Sequence, residues 1–216
     1  MKKLSQKILV LLAIFTWGLL ADDFALAVKD YNNMNYIKAL NTFYVLAKKG
    51  DAKAQYNVAM IYANGQGVKQ DSSQAQKWYE KAAIQGNAPA QYNLAQLYHA
   101  SANNDVHAYE KAKHWYEKSM QGGVSQAYNN LATLYMEGLG VSRDEKKAFE
   151  LFQKAANMDN HAAQVNVAFL YAWGKNITHD KMKAYENLKK ALKAGQSEAS
   201  EHLDKLCKES AWVCKD

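Results

Sequence analysis

A chain of 216 residues with 49% hydrophobic and 22% charged content carries enough apolar side chain for a packed core, which excludes a disordered polymer. Its formal net charge of +6 is spread over interspersed residues of both signs with no run of Lys or Arg longer than two, so nothing argues for nucleic-acid binding. A single Pro and 11 Gly leave room for long helices with sparse punctuation, because a helix interior tolerates Pro least and Gly commonly ends a helix.

The N-terminus reads as a targeting segment. MKKLSQK is basic, and the 13 residues from Ile8 to Leu20 carry no charge before Ala21, Asp22 and Asp23. A membrane-spanning helix needs about 20 apolar residues, so this run is short for a span and fits a secretory signal peptide over residues 1–21. Cleavage is expected after Ala21, with Ala25-Leu26-Ala27 as a second candidate, and no Cys lies near the run for a lipid anchor. The expectation is a periplasmic or secreted protein with no membrane span after signal cleavage. An uncleaved segment would instead make the chain an inner-membrane-anchored adaptor. Loss of Lys2, Lys3 and Lys7 leaves 24 basic residues against 21 acidic ones, a mature charge of +3.

Beyond this segment the chain repeats itself. AQYNVAMIY at Ala54–Tyr62 returns as AQYNLAQLY at Ala90–Tyr98, AYNNLATLY at Ala127–Tyr135 and AQVNVAFLY at Ala163–Tyr171. Val58, Leu94, Leu131 and Val167 are spaced 36, 37 and 36 residues apart. Ala39, Ala75, Ala112, Ala148 and Ala184 form a second ladder, spaced 36, 37, 36 and 36. Two ladders with one period predict stacked helical hairpins. In the first helix of a unit, Ala54, Val58, Ile61 and Tyr62 fall on one stripe. In the second, Ala75, Trp78, Tyr79 and Ala82 do the same: the alanines allow close approach, and burying such a ring is worth about 2 kcal/mol. The counterparts of the aromatic pair are Trp115-Tyr116, Leu151-Phe152 and Thr42-Phe43, while Tyr62, Tyr98, Tyr135 and Tyr171 are expected in the core.

Between the two helices stands Gly65-Gln66-Gly67-Val68-Lys69-Gln70-Asp71, repeated as Gly138-Leu139-Gly140-Val141-Ser142-Arg143-Asp144. Gly suits the left-handed backbone that ends a helix, and Asp caps the next one. A later loop keeps Gly174 and Asp180 but has Asn176 in place of the second Gly, where positive φ is expected. Residues 100–106 lack both glycines and are expected to be the least regular loop.

AxYNLAxxY, GxGVxxD, KAxxWYxKAA and a closing Gly, recurring together, resemble the Sel-1-like repeat, a relative of the tetratricopeptide repeat; the resemblance covers Asp22 to about Leu206. It implies an all-α fold, a right-handed α-solenoid of helical hairpins with 36- to 37-residue repeats. Residues 22–50 would be a degenerate first repeat in which Tyr36, Ala39, Leu40 and Ala47 keep the pattern. Four repeats would follow over 51–195, with a capping helix and tail over 196–216. Terminal repeats are expected to be atypical because one of their faces meets water.

Catalysis leaves few traces. The chain has no Ser-x-x-Lys, G-x-S-x-G, H-E-x-x-H or C-x-x-C, and its GxGV segments follow no strand, so no catalytic residue or cofactor is assigned. The histidines at 99, 107, 114, 161, 179 and 202 lack the i, i+4 spacing of a metal-binding helix face, and no metal is assigned. Cys207 and Cys214 are the only cysteines, and in an exported chain they are expected to pair. The chain-entropy model gives such a short loop about 2–3 kcal/mol. Continuous helix would hold their Cα atoms about 10 Å apart, beyond disulfide reach. The last helix should therefore end near Lys208 to Ser210, and Ala211-Trp212-Val213 should fold back over the terminal repeat. Some exported members of the resembled family carry a disulfide in every repeat, and this chain departs from them.

The strongest candidate for recognition is the ladder Asn57, Asn93, Asn130 and Asn166. By the resemblance it lies on the helices that line the concave face of a tetratricopeptide-like solenoid. An amide offers both donor and acceptor to a peptide, but the same group also serves to hold neighbouring helices in register. Around the ladder, Tyr56, Met60, Asn64, Tyr92, Gln96, His99, Asn129, Thr133, Met136, Val165 and Phe169 are expected to face the groove, a mixture suited to an extended peptide or partner helix. The sequence thus points to an exported scaffold that binds another protein through its concave face. The family resemblance suggests an envelope, host-interaction or toxin-neutralising (immunity) context. The alternative is a β-lactam-binding or hydrolysing enzyme of the cysteine-rich family type, for which the chain offers no named nucleophile.

Overall fold

The computed structural model describes residues 23–214, and every regular element among them is an α-helix. The signal-peptide reading, over residues 1–21, lies outside the described residues. The chain separates into two units, one ending at Ala90 and the other beginning at Gln91.

In the first unit α1 (residues 23–32) pairs with α2 (Tyr36–Lys48), and α3 (Ala52–Asn64) with α4 (Ser72–Ile84). The alanine ladder explains how closely they approach: Ala39, Ala54 and Ala75 are fully buried, with Phe43, Val58, Ile61, Trp78 and Tyr79 filling the space around them. The Phe24 ring stands 5.5 Å from that of Phe43 and joins α1 to α2. Within α5 (Ala88–Ala100), Gln91 begins the second unit. There follow α6 (Val106–Gln121), α7 (Ser125–Glu137), α8 (Glu145–Asn157), α9 (His161–Trp173), α10 (Lys181–Lys193) and α11 (Glu198–Glu209). One core cluster joins Tyr116, Leu131, Leu134, Phe152, Val167 and Leu170, and a second joins Val165, Ala168, Leu188, Leu206 and Val213. Tyr135 is buried in the first cluster, whereas Tyr98 and Tyr171 pack at its edge and Tyr62 is half-buried.

The loops follow the expected chemistry where their sequence is regular. Asp71, Asp144 and Asp180 accept backbone N–H bonds at 2.9 Å from Gln74, Lys147 and Lys183, capping α4, α8 and α10. Each of these Asp residues also donates its own N–H, at 2.9–3.1 Å, to the carbonyl of Tyr62, Tyr135 or Tyr171. Gly65 and Gly138 end α3 and α7 in the left-handed conformation. The second glycines combine positive φ with close approach: a Cβ on Gly67 would lie 2.9 Å from the Cβ of Tyr36, and one on Gly140 would lie 2.6 Å from that of Tyr109. In the loop without glycines, Asn103 and Asn104 adopt φ of 44° and 70°.

The last loop departs from expectation. Asn176 does not have positive φ, and Gly174 is extended at φ −66°. Gly174 serves close packing instead, since a Cβ there would stand 2.6 Å from the carbonyl oxygen of Leu170. The Asn176 amide approaches the buried carboxylate of Glu145 at 3.5 Å, where Arg143 also donates at 2.6 Å. Arg143 holds the Glu145 carboxyl below its usual range.

At the C-terminal end α11 stops at Glu209, and Cys207 and Cys214 form a disulfide with their Cα atoms 5.7 Å apart. Of the returning segment only Val213 is buried against the terminal core, while Trp212 is exposed.

Candidate interaction site

The asparagine ladder divides into residues with different work. On α7, Asn130 donates to the hydroxyl of Tyr116 at 3.2 Å and approaches that of Tyr92 at 3.5 Å. Asn129 donates to Asn130 Oδ1 at 3.2 Å, and Asn166 on α9 donates to Asn129 Oδ1 at 3.1 Å. His99 Nδ1 on α5 lies 3.3 Å from the same Tyr116 hydroxyl. One polar seam therefore runs from α9 through α7 to Tyr116 on α6, and on to Tyr92 and His99 on α5. Tyr116 is fully buried, and its hydroxyl avoids a desolvation penalty only through these partners. Burial raises the Tyr116 and Tyr92 hydroxyl pKa values above the usual tyrosine value, opposed in both by the Asn130 hydrogen bond. Burial lowers the His99 pKa, with Glu137 acting in the other direction. The seam is thus biased toward neutral, directional hydrogen bonding.

In the first unit, Asn57 donates to the carbonyl of Lys53, one turn back in its own helix, at 2.9 Å. Tyr56, with its ring 5.9 Å from that of Tyr79, and Met60 are half-buried on the same helix. In the second unit Asn93 is half-buried and Gln96 exposed on α5. Thr133 turns its hydroxyl to the Asn129 carbonyl at 3.2 Å. Phe169 belongs to a separate aromatic group, its ring 5.5 Å from that of Trp173 and 5.7 Å from that of His202, which ties α9 to α11. Val165, expected to face the groove, is instead buried against Ala184, Leu188 and Ala199. α10 and α11 cover the position that holds Tyr56 and Tyr92 in earlier repeats.

The part played by Tyr116 in the seam was missed from sequence, where it counted only as core filling. The available signal was the Asn129-Asn130 doublet, because every other ladder asparagine follows Tyr or Val. Among the described residues no group of three or more His, Cys, Asp or Glu could hold a metal ion. None of their helices is long and apolar enough to cross a membrane.

The family model described as Sel1 repeat matches residues 52–87, 88–124, 125–160 and 161–196. No curated protein matches the chain. Among solved structures, a protective antigen of uropathogenic Escherichia coli strains with an SLR fold is similar at 28% identity and a TM-score of 0.82, over 88% of this chain and 42% of that one. This chain thus spans less than half the length of that antigen. A Sel1 repeat protein from Oxalobacter formigenes is similar at 26% identity and a TM-score of 0.73, over 85% of this chain and 74% of that one. An immunity protein from Pseudomonas aeruginosa shares the fold at 19% identity and a TM-score of 0.51, over 75% of this chain and 60% of that one.

Proposed function

Because this chain belongs to the Sel1 repeat family, an α-solenoid fold typical of protein–protein interaction, we propose that it is an exported, non-enzymatic scaffold whose first-helix face binds a protein partner. The observation that carries this reading is the set of half-buried or exposed amide and aromatic side chains, Tyr92, Asn93, Gln96, Asn130 and Asn166, on α5, α7 and α9. Their shallow burial leaves surface for a second molecule, and the bonded seam beneath holds the helices at fixed spacing, so that little ordering cost accompanies binding. Within the first unit, Tyr56, Asn57 and Met60 on α3 are assigned the same role by their repeat positions, as is Phe169 on α9 within the second. The concave face of the solenoid is the docking surface in this reading. The disulfide supports an oxidising compartment. The immunity protein of the same fold suggests a concrete version: neutralisation of an envelope-directed toxic effector in a tight one-to-one complex.

The test is crosslinking affinity purification from the native cells, comparing the parent chain with a Gln96→Arg, Met60→Glu variant of unchanged circular dichroism. A single stoichiometric partner, captured by the parent and released by the variant, is the expected result. Equal capture by both forms would remove this face from the interaction.

A further inference from the structure

The outer face of α2 differs from the corresponding face of every other second helix. Aligned on the alanine ladder, Val45 occupies the position of Lys81, Lys118, Lys154 and Lys190. Tyr44 stands where α4, α6, α8 and α10 carry Glu80, Glu117, Gln153 and Lys189, and Ile37 where they carry Ser73, Glu110, Lys146 and Met182. These are surface positions, and the apolar replacements remain exposed: Ile37 by 62%, Val45 by 54% and Tyr44 by 39%, with Met34 in the preceding turn at 74%. Scattered exposed apolar side chains need no explanation, but three on one helix, where the sister helices are mostly charged or polar, with a fourth in the turn before it, mark a contact surface.

The surroundings select its occupant. Residues 23–90 contain eight Lys against five Asp and Glu. That leaves a net charge of +3, and although Asp30 pairs with Lys38, Lys48 and Lys81 stand over aromatic rings at the patch. Lys48 lies over the Tyr44 ring at 5.3 Å, Tyr44 meets Trp78 edge-on at 5.5 Å, and Lys81 lies over Trp78 at 4.2 Å. A second copy of the chain would bring lysine against lysine. A surface of negative charge over an apolar layer satisfies both features, the lysines at the headgroups and the aliphatic side chains just below. We propose that the Ile37, Tyr44 and Val45 face of α2, with Met34 in the turn before it, is a peripheral docking site for an anionic lipid bilayer.

The experiment uses the full chain and vesicles of phosphatidylcholine alone or with about one quarter phosphatidylglycerol, a proportion chosen to give an anionic surface. An environment-sensitive fluorophore on Asn41→Cys, at the centre of the patch, is compared with one on Glu150→Cys, the matching position of α8. The label at position 41 should shift to the blue and be quenched by nitroxide-bearing lipid on anionic vesicles only, whereas the label at 150 should not respond. This local reading holds whether or not residues 1–21 are retained. A second variant, Ile37→Ser with Tyr44→Glu and Val45→Lys, writes the residues of α4 into α2 at no change in net charge, and should weaken vesicle binding roughly tenfold through lost apolar contact. Silence at position 41, an equal response at 150, or undiminished binding of the variant would overturn the proposal. A shift at 41 that follows protein concentration without vesicles would assign the patch to self-association instead.

Discussion

The repeat built on α3 and α4 and the repeat built on α7 and α8 share more of the motif than any other pair, yet only half of that shared sequence does the same work in both. Their loops behave alike: Gly65 and Gly138 reverse the backbone at φ 66° and 75°, and Asp71 and Asp144 cap the following helix in the same way. Their ladder asparagines do not. Asn57 bonds its own helix, whereas Asn130 serves a buried tyrosine of the preceding helix. A loop motif carries its geometry within a few residues, while a helix-face residue takes its role from what the neighbouring repeat presents to it.

The sharpest test of the shared half is Gly140→Ala. The substitution combines a disfavoured left-handed residue with a Cβ 2.6 Å from Tyr109, and should cost about 2–4 kcal/mol. Gly67→Ala, with 2.9 Å to its nearest neighbour, should cost less but have the same sign. Urea unfolding of both variants reads the difference, and a neutral result at either glycine would break the equivalence of the loops.

The divergent half predicts unequal alanine variants. Asn130→Ala takes the amide donor from the buried Tyr116 hydroxyl, leaving it only His99, and should cost about 1–3 kcal/mol, whereas Asn57→Ala removes one bond near the surface and should stay within about 0.5 kcal/mol. Tyr116→Phe should then make Asn130→Ala cheaper, a coupling that a double-mutant cycle measures directly. If the two alanine variants prove equally costly, the ladder is one device after all.

The smallest expected effect is with pH. His99 has its pKa lowered by burial, so the folded chain resists its protonation. The unfolded chain takes up a proton below a pKa of about 6.5, and stability should fall as pH drops through that value. His99→Gln should reduce the difference between urea midpoints at neutral and mildly acidic pH. Tyr116 has the opposite consequence at the other end of the scale. Its raised pKa favours the protonated hydroxyl in the fold, so stability should begin to decline above the unfolded tyrosine value of about 10. Absorbance titration of phenolate would follow that group.

What was legible in the sequence follows the same division. Period, helix pairing, Asp caps and the stop of α11 between the two cysteines are all encoded within a few residues or in the repeat itself. The seam was not, because Asn130 and Tyr116 lie on different helices, and nothing local distinguishes a hydroxyl that fills space from one that organises it. Val165 was misplaced for a related reason: its own helix pattern matches Tyr92, but α10 and α11 close over it. Asn176 misled because a residue able to adopt positive φ need not do so when Gly174 has already changed the path of the loop.

The ring closed by Cys207 and Cys214 bears on how the array comes apart. Elements held only by their neighbours peel away one at a time, like the teeth of a zip. For α11 the covalent ring acts as a stop, since the turn carrying Val213 cannot drift off while it remains tethered one residue beyond the buried Leu206. Amide protons of α11 should therefore exchange slowly in the oxidised protein and fast once the bond is reduced, which makes the last helix a reporter of the compartment in which the protein resides.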